Sequence, residues 1–173
     1  MKAQQFAIDG AKSSIDWVGR KVTGAHNGTI DVRNGVVTLN DGAISGGNFT
    51  IDTRSIKILD VTDPATNAQF AGHLASDDFF SSEQYPEAKF EITGAIGNHL
   101  EGNLTIKGIT KPVGFDAVVN VSGDTLTATG KVTVDRTLYA MKFRSGNFFK
   151  DLGDTLIYND FDLNVNITAK AVA

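Results

Sequence analysis

The sequence has no cysteine among its 173 residues. Disulfide bonds and thiolate chemistry are therefore excluded, although this absence does not fix the cellular compartment. No block of Lys and Arg occurs and the net charge is -4, so nucleic acid is not an expected partner. No apolar run is long enough to span a membrane. The opening MKAQQFAIDG has no apolar core, so no signal peptide is predicted in this chain.

Residues that commonly catalyse reactions or bind metals are few and scattered. His26, His73 and His99 are the only histidines and have no metal-binding spacing, so structural or surface roles are predicted and no metal site is expected. By alternation His26 falls in a turn region, and His73 is expected to fix a helix-to-loop junction through a hydrogen bond. Asp77 and Asp78 are adjacent, which favours capping or turn formation over acid–base pairing. No nucleophile elbow or phosphate-binding loop is present.

Alternation of apolar and polar residues is abundant, most clearly over residues 100–135. A period of two places alternate side chains on opposite faces, which predicts three strands with one apolar face each. Short turn-forming stretches at 108–112 and 122–124 predict that these strands form an antiparallel meander. The apolar side of such a meander needs other elements to cover it.

Further strands are predicted on both sides of the meander, over 4–9, 13–21, 28–32, 37–39, 43–52, 90–92 and 161–169. Asn34-Gly35 predicts a tight turn, and residues 40–42 predict a second one. Gly46-Gly47 predicts a bulge or a sharp bend, because paired glycines weaken a strand but permit curvature.

One helix is predicted between the strands. Asp63 is a suitable N-cap and Pro64 a suitable first helical residue, and the alanine-rich run that follows suits a helix to about Ser76. Phe79-Phe80 comes next, and it is favoured as a plug for a barrel end over a recognition element. Phe148-Phe149, in the long non-alternating connection 136–160, is interpreted in the same way.

That connection begins with Arg136, directly after a predicted strand, and a short helix is possible near Asp151. Two roles are open for Arg136. It could pair with a carboxylate near a barrel mouth, which is the favoured structural role, or it could meet the anionic head of a ligand.

Together these elements predict an all-β, single-domain protein over 1–173, with about eight antiparallel strands and one helix at 64–76. The strands either close into a barrel or form a two-sheet sandwich. Glycine and alanine stand at inward positions beside aromatic residues, as at Ala117 and Ala128 next to Phe115. An eight-stranded barrel lined in this way could keep an elongated apolar cavity. Alternatively, large residues from opposite walls fill the gaps.

Six segments resemble the YceI-like family of lipocalin-like, polyisoprenoid-binding barrels: SSIDWVGRKVTGAHNGTI, GGNFTIDTRSI, GHLASDDFF, YPEAKFEI, GNLTIKGITKPVGF and VDRTLYAM. The resemblance implies an antiparallel barrel with a long lipid in its lumen and supplies no catalytic motif. It also implies an exported bacterial protein, periplasmic or secreted, although a cytoplasmic location is not excluded, and it is compatible with a homodimer. The G-x-W signature of true lipocalins is absent, because Ile15-Asp16 precedes Trp17.

We therefore predict a barrel without enzymatic activity, metal or cofactor that holds a polyisoprenoid or an isoprenoid quinone for transport, storage or sequestration. Alternatives are a hydrolase or isomerase acting on a small lipid, which would need a convergent polar cluster, and a packed structural barrel that binds a protein partner. The predicted ligand contacts are Trp17, Phe49, Phe79, Phe80, Phe90, Leu104, Ile106, Phe115, Ala117, Leu126, Ala128 and Phe161.

Overall fold

Nine antiparallel strands and one α-helix make up the fold in the computed structural model, which describes residues 3–21, 24–40, 43–76, 79–139, 141 and 157–172. The strands are β1 (Ala3–Ile8), β2 (Ser14–Lys21), β3 (Gly24–Asn40), β4 (Ala43–Ile58), β5 (Glu87–Ile96), β6 (His99–Ile106), β7 (Ile109–Ser122), β8 (Thr125–Asp135) and β9 (Ile157–Ala171). Helix α1 spans Pro64–Ala75, and single 3₁₀ turns span Gly10–Lys12 and Arg136–Tyr139. Asp77-Asp78, Phe148-Phe149 and Asp151 lie outside the described residues.

The sheet closes into a barrel with eight wall positions. The hydrogen-bonded order runs β3-β2-β9-β8-β7-β6-β5-β4, and β4 pairs back with β3. β1 does not add a ninth position. It pairs with both β3 and β9 beyond the point where the ladders of β2 end, as in the pairs of Phe6 with Val37 and with Ala171. The predicted antiparallel barrel is confirmed. One of its eight wall positions is shared by β1 and β2, with a break in the strand between them.

The interruption in that wall is held by local hydrogen bonds. The Asp9 carboxylate accepts from the backbone N–H of Ala11 at 3.0 Å, which caps the first 3₁₀ turn. The Ser13 hydroxyl donates to the carbonyl of Asp9 at 2.8 Å and accepts from the N–H of Thr168 in β9 at 3.0 Å. These bonds satisfy several backbone groups at the break, where the chain leaves and rejoins the same wall position.

The tight turn predicted at Asn34-Gly35 is wrong, because β3 runs without interruption through these residues. The β3–β4 register shifts between Val32 and Asn34, which marks a bulge. A Cβ atom at Gly35 would collide with the carbonyl oxygen of Asn48 in β4. The glycine therefore permits close approach of two strands beside the bulge, and long-range pairing overrides the turn preference of the dipeptide.

The turn predicted over 108–112 is shorter in the structure. Lys107 and Gly108 form it with φ values of 55° and 73°, and β7 already begins at Ile109. Pro112 therefore lies inside a strand. It is accommodated because the β7–β8 ladder covers only Ala117–Ser122, so at Pro112 one side of β7 has no ladder partner that needs an N–H.

The other predicted elements are present, and several strands are longer than predicted. β3 ends and β4 begins at the paired residues Asn40 and Ala43, as the second predicted turn requires. The register shift opposite Thr38 confirms the irregularity predicted at Gly46-Gly47. β4 continues to Ile58, six residues beyond the predicted 43–52, because its C-terminal end pairs with the first part of β3.

One carboxylate on the outer wall is buried. Asp162 is 7% exposed, and it accepts from Arg20 Nη2 at 2.7 Å and from the Thr133 hydroxyl at 2.9 Å. Burial alone would raise the pKa of Asp162, but these hydrogen bonds and the charges of Arg20 and Lys131 outweigh it and hold the pKa below its usual value. Asp162 therefore ties β9 to β2 and β8 as a carboxylate.

We expect Asp162→Asn to lower the free energy of unfolding at pH 7 by about 1.5–3 kcal/mol, the size of a hydrogen bond to a charged group. A depressed folded-state pKa stabilises the protein above the unfolded-state pKa of about 3.9 and loses that effect as the pH falls through the folded-state value. Urea unfolding across pH 2–7 should therefore show the two proteins converging at the acid end. Asp160→Asn, an exposed change on the same strand, is the control; a gap that stays constant with pH would contradict the assignment.

Candidate functional site

A cavity of about 650 Å³ occupies the half of the barrel that α1 covers. Its apolar wall comes from inward positions of six strands: Ile15, Trp17, Ile30, Ile51, Ala88, Leu104, Ile106, Phe161 and Leu163. Phe70 and Leu74 of α1 and the plug residues Phe79 and Phe80 close the same space from above. The volume falls within the range of about 300–1,000 Å³ found for small-molecule sites.

The opposite half of the barrel is packed. The rings of Phe49 and Phe90 stack with centroids 5.9 Å apart, and Phe115 lies 5.7 Å from Phe90. A Cβ atom at Gly102 would approach Phe90 Cζ to 2.6 Å, and one at Gly130 would approach Phe115 Cε2 to 2.9 Å. Small inward residues here make room for phenylalanine rings of the neighbouring strand. Both alternatives for the lumen, hollow and packed, are therefore realised, each in one half.

The twelve predicted ligand contacts divide between the two halves. Six line the cavity: Trp17, Phe79, Phe80, Leu104, Ile106 and Phe161. The other six belong to the packed half and do not line this cavity: Phe49, Phe90, Phe115, Ala117, Leu126 and Ala128. Alternation identifies the inward face of a strand but contains no information on depth along the barrel.

The helix contributes lining residues that the sequence reasoning missed. Thr66, Gln69, Phe70, His73 and Leu74 all face the cavity. Their spacing of three and four residues places them on one face of a helix. That spacing was visible in the sequence, and it would have identified the face of α1 that covers the barrel.

Trp17 lies in the cavity wall and contacts the helix that covers the cavity. Its Nε1 donates to the carbonyl of Lys57 at 3.2 Å, and its ring lies edge-on to Phe70 of α1 at 6.4 Å. Gly28 leaves room for the indole, since a Cβ there would lie 2.7 Å from Trp17 Cζ2. The single tryptophan of the chain is thus a fluorescent reporter inside the cavity wall.

The lid, α1, is held at its beginning by polar contacts. Asp63 caps the helix as predicted, accepting from the N–H of Thr66 at 2.9 Å. The side-chain amide of Asn67 donates to the carbonyls of Ile58 and Val61 at 2.9 and 3.0 Å. Leu74 is the only residue of α1 that is fully buried. The helix therefore has a well-ordered start but a small apolar anchor.

His26 secures the connection to the lid. It lies in β3 and not in a turn, so that prediction is wrong; the strand begins earlier than the alternation indicated. Its Nδ1 lies 2.8 Å from Asp60 Oδ2, and its ring packs edge-on against Phe70 at 4.8 Å. Burial would raise the pKa of Asp60, but hydrogen bonds from the Asn27 N–H and His26 hold it below its usual value.

We expect α1 to open more readily than the barrel wall, because Leu74 is its only fully buried side chain. Amide hydrogen exchange over 64–76 should be faster than over 113–121 and 161–169. Phe70→Ala removes the ring that contacts Trp17 and His26, and it should accelerate exchange in the helix alone, by about tenfold for roughly 1.5 kcal/mol of lost burial. Equal protection of helix and strands would contradict a mobile lid.

Arg136 is the most buried cation of the described chain, at 3% exposed, and it lines the cavity. Its Nε donates to the carbonyl of Tyr158 at 3.1 Å, Nη1 to Met141 at 2.6 Å and Nη2 to Ile157 at 3.0 Å. Burial lowers the pKa of Arg136, and the charge of Asp135 opposes that effect. Within the described residues the favoured pairing with a carboxylate is not found, and the guanidinium donates only to backbone carbonyls.

Other polar groups near the cavity also take part in hydrogen bonds with the backbone. The buried Thr53 hydroxyl donates to the carbonyl of Tyr85 at 2.7 Å. The backbone carbonyl of His73 accepts from the N–H of Ser76 at the helix end, and the His73 ring packs edge-on against Phe79 at 5.1 Å. In the part of the chain that the structure describes, no cluster of His, Asp or Glu could hold a metal.

We accordingly expect chelation to have no effect. Treatment with EDTA should leave the melting temperature and the bound ligand unchanged, since the three histidines are dispersed over β3, α1 and β6. A loss of either property that zinc restores would show that a metal site exists.

Comparison with known proteins decides the family. A family model described as a YceI-like domain matches residues 6–169. The chain belongs to the YceI-like family. Among relatives of this YceI-like protein, a UPF0312 protein of Pseudomonas putida strain W619 is 29% identical over 129 residues, covering 70% of this chain and 65% of that protein. The chain thus spans slightly less than two thirds of that relative. A UPF0312 protein of Staphylococcus aureus strain N315 is 29% identical over 150 residues, covering 80% and 82%.

Solved structures of similar fold span nearly the whole YceI-like chain. BcnA of Burkholderia cenocepacia superposes with a TM-score of 0.71 at 24% identity, covering 94% of this chain and 99% of that one. A polyisoprenoid binding domain from Saccharophagus degradans, implicated in plant cell wall breakdown, gives a TM-score of 0.66 at 11% identity, covering 96% and 98%. At these identities the likeness establishes the barrel fold. No helix in the described part of the chain is long and apolar enough to cross a bilayer.

Proposed function

We propose that this YceI-like barrel binds a long isoprenoid-type lipid, a polyisoprenoid or an isoprenoid quinone, and transports, stores or sequesters it without chemical conversion. The observation that carries the proposal is the 650 Å³ cavity with an apolar wall beneath a helical lid. The fold that it shares with a domain described as polyisoprenoid binding supports the same ligand class. The family resemblance favours a periplasmic or secreted location for such a carrier.

The size of the cavity suits a chain of intermediate length. A cavity of about 150 Å³ accepts benzene, with its six carbons, so 650 Å³ has room for on the order of 20–25 carbon atoms. Burial contributes about 0.8 kcal/mol per methylene, which is partly offset by the loss of translational and conformational freedom on binding. A lipid of this length can therefore bind tightly with few polar contacts, and a longer one would project through the mouth.

Mass spectrometry of organic extracts from the purified protein tests the proposal directly. We expect a long-chain lipid in near-stoichiometric amount. Geranylgeraniol should then bind the lipid-stripped protein and change the fluorescence of Trp17, which lies in the cavity wall. Incubated lipid should be recovered unchanged, whereas a converted product would favour a hydrolase or isomerase. Clean extracts together with no fluorescence change across a series of prenyl alcohols would overturn lipid binding.

A further inference from the structure

Two cations lie at the rim of the cavity, where β2 ends and β9 begins. Lys21, the last residue of β2, is the cross-strand partner of Ile157, and Arg136 donates to the carbonyl of Ile157 at 3.0 Å. Both side chains line the cavity. In the described chain neither forms an ion pair, whereas the neighbouring Arg20 is held by Asp162 at 2.7 Å.

The guanidinium of Arg136 has donors to spare. It carries five N–H groups, and the three hydrogen bonds to Tyr158, Met141 and Ile157 leave one N–H on each of Nη1 and Nη2. Carbonyl oxygens satisfy part of its hydrogen bonding but bring no negative charge. The charge of Asp135 acts on the guanidinium without forming an ion pair, so an anion that binds beside this buried cation in the poorly solvated cavity interacts strongly.

The nearby carboxylates of Asp160 and Asp135 do not form ion pairs with Lys21 or Arg136. Asp160 lines the mouth but is exposed to solvent, and the carboxylate of Asp135 accepts from the N–H and hydroxyl of Thr137. Among the described residues Arg20 is paired with Asp162, so the cations of this rim that form no ion pair are Lys21 and Arg136. The rest of the lining is mostly apolar, and both cations lie where β2 ends and β9 begins.

We propose that the lipid held in this cavity carries an oxyanion head, a phosphate or a carboxylate, which Arg136 binds through its two remaining N–H groups and Lys21 through its ammonium group. This inference rests on the proposed function and, of the two ligands named there, selects a polyisoprenoid with an acidic end, since a quinone head carries no oxyanion. The planar guanidinium matches phosphate and carboxylate oxygens, and such charge-assisted hydrogen bonds are about twice as strong as neutral ones. The tail then extends from the rim into the barrel as far as Leu104.

The test compares ligands that share a tail and differ in the head. Geranylgeranyl phosphate is matched with geranylgeraniol, and palmitate with hexadecanol, each titrated into lipid-stripped protein by Trp17 fluorescence. We expect at least one acid to bind ten times or more tightly than its alcohol, with the advantage shrinking as salt is raised. The two pairs distinguish a phosphate head from a carboxylate head.

Variants distinguish specific binding of the ligand's head group from non-specific electrostatic attraction. Lys21→Gln should reduce the advantage of the acid at least threefold and leave the alcohol unaffected. Lys57→Gln, an exposed lysine near the same end but outside the lining, should change neither. Arg136→Gln should remove the advantage of the acid. If Arg136→Gln fails to fold, the comparison of Lys21→Gln with Lys57→Gln is sufficient for the test.

Each outcome decides between the two proposals. Equal affinities for acid and alcohol would overturn the acidic head and leave tail binding intact. A similar loss in Lys21→Gln and Lys57→Gln would reduce the effect to non-specific attraction and also overturn it. Failure of all four ligands to bind would overturn the lipid-binding function itself, together with the head.

Discussion

Replacing Gly19 with leucine should abolish most ligand binding while leaving the empty protein at least as stable as the wild type. Gly19 lines the cavity, and a Cβ atom there would meet nothing closer than Trp17 Cζ3 at 4.0 Å. The added side chain would therefore occupy space that we assign to the lipid tail. Leucine is also a better strand residue than glycine, which weakens strand interiors. We expect the dissociation constant for geranylgeraniol to rise more than tenfold, with no fall in the melting temperature of stripped protein.

Ala117→Phe is the matched control in the packed half. Ala117 is 3% exposed and lies away from the cavity lining, so a phenyl ring must displace well-packed neighbours. Overpacking of this kind costs about 1–3 kcal/mol or more. Its stability should fall, whereas the folded fraction should bind lipid normally. Wild-type affinity in Gly19→Leu would show that the tail does not pass β2, and a stable Ala117→Phe that cannot bind would place the tail in the other half.

Phe90→Ala should give the largest loss of stability in the barrel, about 3–5 kcal/mol in urea unfolding, as for other buried phenylalanines. The ring contacts both Phe49 and Phe115. Phe90 is the next inward residue of β5 after Ala88 and pairs with Leu104, and both of these line the cavity. It therefore lies directly beneath the lining residues, and its removal should also deepen the cavity.

A deeper cavity changes which ligands bind best. We expect Phe90→Ala to shift preference toward longer prenyl alcohols in a chain-length series, by several-fold relative to the wild type. Leu126→Ala is the control: this side chain is fully buried in the packed half, and its loss should cost about 2–5 kcal/mol without changing the preferred length. An unchanged chain-length profile in Phe90→Ala would mean that the cavity does not end next to Phe90.

Much of the fold could be predicted from sequence because its causes are local. A wall with solvent on one side and a core on the other requires alternation, so β8 shows buried Leu126, Val132 and Val134 between exposed threonines. The cap at Asp63 and the proline after it depend only on neighbouring residues, and the helix begins where they predict. Local chemistry therefore sufficed for the type and order of these elements.

The failures have long-range causes. Gly35 resembles a turn residue, but the strand that approaches it is thirteen residues further on, at Asn48. Arg136 seemed to need a carboxylate, and its acceptors are carbonyls brought to it by β9. Ala117 belongs to the packed half because phenylalanines of other strands fill the lumen there. Which residues meet across a barrel depends on register and depth, and a single sequence shows neither.

The pairing of β1 with β9 determines where the barrel can be attached to a surface. The backbone N–H of Val172 donates to the carbonyl of Gln5 at 2.9 Å, so these two residues are adjacent at the end of β9 farthest from Ile157 and the cavity rim. A linker attached beside either residue would leave the mouth facing outward. A sensor surface coated with protein immobilised in this way should keep every cavity accessible, with Trp17 as the built-in optical readout.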